Sequence, residues 1–114
     1  MIDALALAAA LHTITTDHQP RPSRSERAAT QFLECVIRHE SHGNPKAENP
    51  ASSASGLFQF IDGTWRHYAK RIPAARKYGH ASWAPASVQW QVAVNVVLHG
   101  GHGHWRGTHC GYGT

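Results

Sequence analysis

One apolar stripe constrains the fold of this chain more than any other feature. It consists of Ala29, Phe32, Leu33, Val36 and Ile37. Apolar residues at this spacing predict a helix with one face against a core. Ser23 stands three residues before Glu26, which is the spacing of a capping box at a helix start, and Gly43 suits a helix end. The sequence therefore predicts a core helix that begins after Ser23 and ends near Gly43.

Glu40 falls on the same stripe, at the end of this helix. At about 100° per residue, the eleven steps from Ala29 return it to within roughly 20° of that residue, whereas Glu34 points to the other side. A carboxyl group that is partly desolvated in this way keeps its proton to unusually high pH, as a general acid must. Helical phase alone leaves two interpretations open: a proton donor, or a helix-end side chain turned into solvent.

The rest of the chain predicts a mainly α fold with at most a minimal β element. A loop is expected over Asn44–Ser55, followed by a short apolar run that fits a strand fragment or a turn. A second helix follows, with Asp62 or Thr64 as its N-cap. Residues 86–99 suit a buried central helix, with a strand as the alternative because of their β-branched content. No regular element is expected in residues 100–114.

Two segments are expected along the chain. Residues 1–24 are interpreted as an N-terminal helix over about residues 3–15, or a degenerate signal peptide, joined to a Pro-rich linker. The apolar run at residues 4–11 is too short to span a bilayer. Residues 25–114 are expected to form one folded domain, because a core of that size supports itself.

The charge is distributed unevenly. All seven carboxylates lie at or before Asp62, while the later half carries Arg66, Lys70, Arg71, Arg76, Lys77 and Arg106. A basic surface attracts an anionic polymer, either nucleic acid or bacterial wall, or is simply solvated. Because the chain has no recognised groove-reading motif, we do not expect nucleic acid to be the partner.

The cysteines and histidines raise two questions. Cys35 and Cys110 fit either a disulfide or two separate thiols, and we favour the disulfide because the chain otherwise ends in a loose Gly-rich tail. Such a bond would indicate an oxidising compartment. A second hypothesis concerns zinc held by Cys110 with His99, His102, His104 and His109. Their spacing matches no standard ligand pattern, so we expect neither a metal nor a cofactor.

The joined motif HESHGNPKAENPASSASGLFQF and DGTW, over residues 39–65, resembles the goose-type lysozyme and lytic transglycosylase superfamily. GLFQFIDGTW, and a Trp shortly before a C-terminal Cys, are also similar to the resuscitation-promoting factors. The resemblance implies a lysozyme-like helical domain whose cleft binds N-acetylglucosamine and N-acetylmuramic acid. Two departures are that Cys35 precedes Glu40 by five residues instead of one, and that Ile61 replaces an acidic residue.

The resemblance also implies roles for individual residues. Glu40 is the expected catalytic acid, with Ser41 supporting its loop. Gln59 matches a cleft glutamine that binds an acetamido group, with a structural amide as the alternative. Thr64, Trp65 and Trp105 are further candidates for sugar contact, the tryptophans with a core role as the alternative. Asn95, a polar residue among valines, needs a partner, and the cleft is one place for it.

The scarcity of acids favours one reaction over another. Most glycosidases use two carboxyl groups, and of the other acids in this chain only Glu48 and Asp62 are plausible as a second one. The expected function is therefore a monomeric peptidoglycan lytic transglycosylase with one catalytic acid. The alternatives are a hydrolytic muramidase and a non-catalytic wall-binding or virion module. The expected location faces the cell wall, outside the cell or in the periplasm, or is a phage particle.

Overall fold

Three α-helices and two 3₁₀ segments form the described part of the chain, residues 20–112, in the computed structural model. They are α1 (Arg24–Glu40), α2 (Asp62–Ala69), a first 3₁₀ segment (Ala81–Trp83), α3 (Ala86–Leu98) and a second 3₁₀ segment (Gly101–Thr108). No strand occurs within these residues, apart from isolated bridges that pair Ser55 with Glu48 and with Phe60. The prediction of a mainly α, lysozyme-like domain is confirmed. The expected N-terminal helix and its signal-peptide alternative lie outside the described residues.

Helix α1 begins and faces the core as the sequence predicts. The Ser23 hydroxyl accepts a hydrogen bond from the Glu26 backbone N–H, and the Glu26 carboxylate accepts one from the Ser23 N–H. This capping box satisfies two backbone donors that a helix start leaves free. The apolar stripe is buried at Ala29, Phe32, Leu33 and Val36. The helix ends at Glu40, three residues before Gly43.

Helix α3 lies at the centre of the packing. It contacts α1, α2 and the second 3₁₀ segment, and it buries Val92, Ala93, Val96 and Val97. Because it is covered on several sides, its apolar residues do not form a single stripe. The helical interpretation is therefore confirmed over the strand alternative. Across residues 20–112, no helix combines the length and the apolar character needed to cross a membrane.

The loop between α1 and α2 is fixed to α3 by Gln89, which is 1% exposed. Its side-chain oxygen accepts a hydrogen bond from Leu57 N–H at 2.8 Å, and its amide nitrogen donates to Pro45 O at 3.0 Å and Ala84 O at 2.9 Å. Gly56 adopts φ +81°, and a Cβ there would overlap the Gln89 Oε1. Only glycine therefore fits both the backbone conformation and the space at position 56.

Two expectations about the later elements are wrong. Neither Asp62 nor Thr64 caps α2, because Ile61 is the N-cap residue and its side chain makes no capping hydrogen bond. The tail contains a regular element, the second 3₁₀ segment, which was not expected from its glycine content. Trp105 anchors this segment, since its indole N–H donates to Phe58 O at 2.9 Å.

A disulfide between Cys35 and Cys110 ties α1 to the end of the domain. The favoured interpretation of these two cysteines is confirmed. The bond closes a sequence separation of 75 residues. In the chain-entropy view a loop of this size stabilises the fold by about 4 kcal/mol, because it restricts the unfolded chain.

Candidate active site

A cavity of about 170 Å³ opens beside the end of α1. Residues from α1, from the following loop, from α2 and from the second 3₁₀ segment form its wall. They are Glu40, Gln59, Phe60, Ile61, Thr64, His104 and Trp105. Four of the seven predicted site residues therefore meet in one place: Glu40, Gln59, Thr64 and Trp105.

The carboxyl group of Glu40 is half-buried where α1 stops. The helix ends in a tight turn in which the backbone N–H groups of Ser41 and His42 both donate to Ile37 O. Gly43 follows at φ +85° and donates its N–H to the Ser41 hydroxyl at 3.2 Å. Burial raises the pKa of Glu40 above its ordinary value, and the neighbouring His39 partly opposes this shift. A partly buried carboxyl group with a raised pKa has the properties that an acid catalyst requires, and the catalytic role of Glu40 stays a prediction.

Gln59 is held in the cavity wall by the backbone of its own loop. The residue adopts φ +54°, in the left-handed region, and its amide nitrogen donates to Gly56 O at 3.1 Å and Ala47 O at 3.4 Å. This geometry commits the nitrogen to the loop. The side-chain oxygen is the part of Gln59 that is left to accept a hydrogen bond from a ligand.

The apolar part of the wall comes from buried aromatic rings. Phe60 and Trp105 pack with their centroids 5.5 Å apart, and Trp105 is oriented by the hydrogen bond from its indole to Phe58 O. Trp105 is therefore a core aromatic that also lines the cavity, and its contact with a sugar stays a prediction.

The other three predicted site residues do not reach the cavity. Trp65 is fully buried, and its indole donates to Tyr78 O at 2.7 Å, so it is a core residue and offers no face to a sugar. Ser41 is buried, and its hydroxyl donates to Ile37 O in support of the α1 end. Asn95 lies on α3, and among the described residues its buried Oδ1 has no hydrogen-bond partner.

The two remaining candidate acids bind a histidine instead of lining the cavity. The Nδ1 of His80 lies 2.7 Å from Asp62 Oδ1, and its Nε2 lies 2.9 Å from Glu48 Oε1. Ser82 donates a further hydrogen bond to Glu48. Partial burial disfavours the charged imidazole, but the two carboxylates outweigh it and raise the pKa of His80. The Ser82 and His80 hydrogen bonds lower the pKa of Glu48.

One group of metal-ligating side chains occurs within residues 20–112. The ligand atoms of Cys35, His39 and Cys110 lie within 4.8 Å of one another. The two sulfurs are bonded to each other, which leaves His39 as a single donor in that group. The tail histidines that the zinc hypothesis combined with Cys110 are not part of this group.

The sequence did not identify three residues of the cavity wall. Phe60 and Ile61 belong to the motif that carries the resemblance, but only the fold shows that they face Glu40. His104 was considered only as a zinc ligand. Its position directly before Trp105 is the one signal that would have placed it here.

Comparison with known proteins agrees with this geometry. Residues 27–110 match the family model described as a transglycosylase-like domain. The chain is 42% identical over 90 residues to a probable transglycosylase, SceD, of Staphylococcus aureus strain Newman, a match that covers 75% of this chain and 38% of the relative. SceD of strain MRSA252 is 42% identical over 93 residues, covering 82% and 39%. The chain thus spans about two fifths of these relatives. No solved structure gives a significant match.

Proposed function

The chain belongs to the transglycosylase-like domain family, and from that premise we propose that it cleaves the β-1,4 bond between N-acetylmuramic acid and N-acetylglucosamine in peptidoglycan. The observation that carries this proposal is Glu40, half-buried, with a raised pKa, at the wall of a sugar-sized cavity. The Staphylococcus aureus relatives are named probable transglycosylases, which supports the same class of reaction.

In the proposed mechanism, Glu40 first acts as an acid. Its carboxyl proton passes to the glycosidic oxygen as the bond from that oxygen to C1 of the muramic sugar breaks, and an oxocarbenium-like centre develops at C1. The electron pair of the broken bond leaves with the glucosamine oxygen. Half-burial serves this step because it raises the pKa of Glu40 and so keeps the proton in place to higher pH, ready for transfer when the strand binds.

Glu40 then acts as a base. The carboxylate takes the proton from the 6-hydroxyl of the muramic sugar, whose oxygen bonds to C1 and closes a 1,6-anhydro ring. This restores the protonated Glu40, and no second carboxyl group is needed. The distribution of acids supports this route over hydrolysis, because Glu48 and Asp62 are bound to His80, whereas a hydrolase needs a second carboxyl group beside the bond.

The other wall residues would orient the strand. We assign the free oxygen of Gln59 to the N–H of an acetamido group, the edge of Trp105 and the side chain of Ile61 to the apolar faces of sugars, and Thr64 to a sugar hydroxyl. In this proposal Ser41 and Trp65 contribute by holding the wall. Asn95 has no assigned contact, and the monomeric state remains a prediction.

The proposed substrate determines the place of action. Peptidoglycan lies outside the cytoplasmic membrane, so the domain would work facing the wall. The disulfide agrees with such an oxidising compartment. The relatives described above are bacterial and give no support to delivery in a phage particle.

A matched pair of variants on α1 tests the role of Glu40. Glu40→Gln keeps the shape of the side chain but removes the proton, and we expect clearing of a suspension of wall sacculi to fall roughly 100- to 10,000-fold. Glu34→Gln makes the same change at an exposed position of the same helix and should retain full activity. Equal activity of the two variants, with both folded by circular dichroism, would remove Glu40 from the mechanism.

A further inference from the structure

Trp83 exposes most of its indole on the surface of the domain. It is 67% exposed, and the other large apolar side chains that are exposed within residues 20–112 are Ile61 and Leu98. A single exposed apolar residue is ordinary on a protein surface. Trp83 differs because neighbouring groups support its ring and because contacts connect it with the cavity.

One side of the indole is supported. The rings of Trp83 and His80 have centroids 5.1 Å apart and are inclined by 54°. Gly79 lies next to the ring, since a Cβ built there would come 3.9 Å from Cζ3 of the indole. His80 is itself fixed between Asp62 and Glu48. The supported indole therefore keeps another face free for a ligand without first having to be ordered.

A short series of contacts links this ring with the cavity. Ile61 lines the cavity and is 50% exposed. Asp62 follows it directly and binds His80, on which Trp83 packs. A series of contacts therefore leads from Ile61 in the cavity wall through Asp62 and His80 to the exposed indole of Trp83.

The chemistry of this surface fits a sugar better than a lipid or an apolar peptide. The C–H face of a pyranose stacks on an indole, while its hydroxyl and amide protons need acceptors nearby. Glu48 provides such an acceptor, with 56% of its side chain exposed. A lipid tail or an apolar peptide would leave the oxygens of this carboxylate unpaired.

We propose that Trp83, together with the exposed carboxylate of Glu48, forms an outer sugar-binding subsite for the glycan strand that enters the cavity at Glu40. The polymer is identified through the proposed function, and the subsite itself follows from the geometry above. The subsite holds sugars of the glycan strand that lie beyond the bond that is cleaved. Long strands therefore bind through two regions of the protein, the cavity and the Trp83 surface.

The test measures binding without cleavage. The Glu40→Gln protein is titrated calorimetrically with long glycan strands that an amidase has released from peptidoglycan. Adding Trp83→Ala should raise Kd about tenfold, as expected for the loss of one stacked ring. Trp83→Phe should keep Kd within about twofold, because it retains an aromatic face. Leu98→Ala, at an exposed apolar position on α3, is the control and should leave Kd unchanged.

A second measurement separates contact from a merely structural effect. If the strand covers the indole, strand binding changes the tryptophan emission, and Trp83→Phe reduces that change while binding persists, the remainder coming from Trp105 in the cavity wall. An unchanged Kd on adding Trp83→Ala, or absence of strand binding to the Glu40→Gln protein itself, would overturn the proposed subsite. If strands bind through Trp83 but the protein with Glu40 intact cleaves none of them, the proposed function fails and the subsite stands.

Discussion

Gln89→Leu should destabilise the domain more than any surface change on the same helix. The substitution removes three hydrogen bonds that a side chain with 1% exposure makes to the backbone at Pro45, Leu57 and Ala84. The leucine restores none of them. Two of the three backbone partners are buried, and each buried group left without a partner costs roughly 1 to 3 kcal/mol. The expected loss is about 4 kcal/mol, a large part of the stability of a domain this size.

Urea unfolding followed by circular dichroism measures this loss, and thermal unfolding should show a decrease in Tm of about 20 °C. Gln91→Leu is the matched control, because Gln91 is exposed two residues further along α3. We expect it to change the free energy of unfolding by less than about 0.5 kcal/mol. A loss below about 1 kcal/mol for Gln89→Leu would show that the loop does not depend on this side chain.

Three further predictions concern charge and the disulfide. The activity should fall as the pH rises through the raised pKa of Glu40, and His39→Gln should shift this limb of the pH profile to higher pH, because the nearby imidazolium lowers that pKa. The stability that His80 contributes is complete below its ordinary pKa of 6.5 and is lost as the pH rises through its raised pKa. The stability that Glu48 contributes is complete above its ordinary pKa of 4.5 and is lost as the pH falls through its lowered pKa. The difference in urea midpoint between the parent and His80→Gln should therefore be greatest between pH 4.5 and 6.5, and a constant difference across pH would contradict this. Replacing Cys35 and Cys110 by serine should lower the free energy of unfolding by about 4 kcal/mol in the same urea assay, and a change below about 1 kcal/mol would not fit the loop that the bond closes.

The sequence predicted best the features that depend on neighbours along the chain. Helix α1 was predictable because its apolar stripe and the Ser23 and Glu26 pair are local patterns. The phase of that stripe left Glu40 open between a proton donor and a solvent-facing side chain, and the resemblance between motifs pointed to Glu40, Gln59, Thr64 and Trp105. The predicted N-cap of α2 was wrong because it also rested only on a local pattern. A side chain that can cap a helix locally, Asp62, is used instead by a distant histidine.

Features that depend on contacts between residues far apart in the sequence were not predictable. A glutamine in an apolar helix gives no indication of which backbone groups it will bind, and Gln89 binds groups up to 44 residues away. Trp65 and Trp83 have the same side chain, yet the first is fully buried and the second is mostly exposed. The Gly-rich tail has no helical periodicity, and its 3₁₀ segment is anchored by the tertiary contact of Trp105 with Phe58.

Mass spectrometry of the soluble fragments released from purified peptidoglycan tests most directly whether one carboxyl group performs both proton transfers. The protein with Glu40 intact should release fragments that end in a 1,6-anhydro ring, and the Glu40→Gln protein should release almost none. Fragments with an ordinary reducing end would contradict the single-acid reaction and indicate hydrolysis with a second group. Unaltered release of anhydro fragments by the Glu40→Gln protein would contradict the assignment of the acid itself.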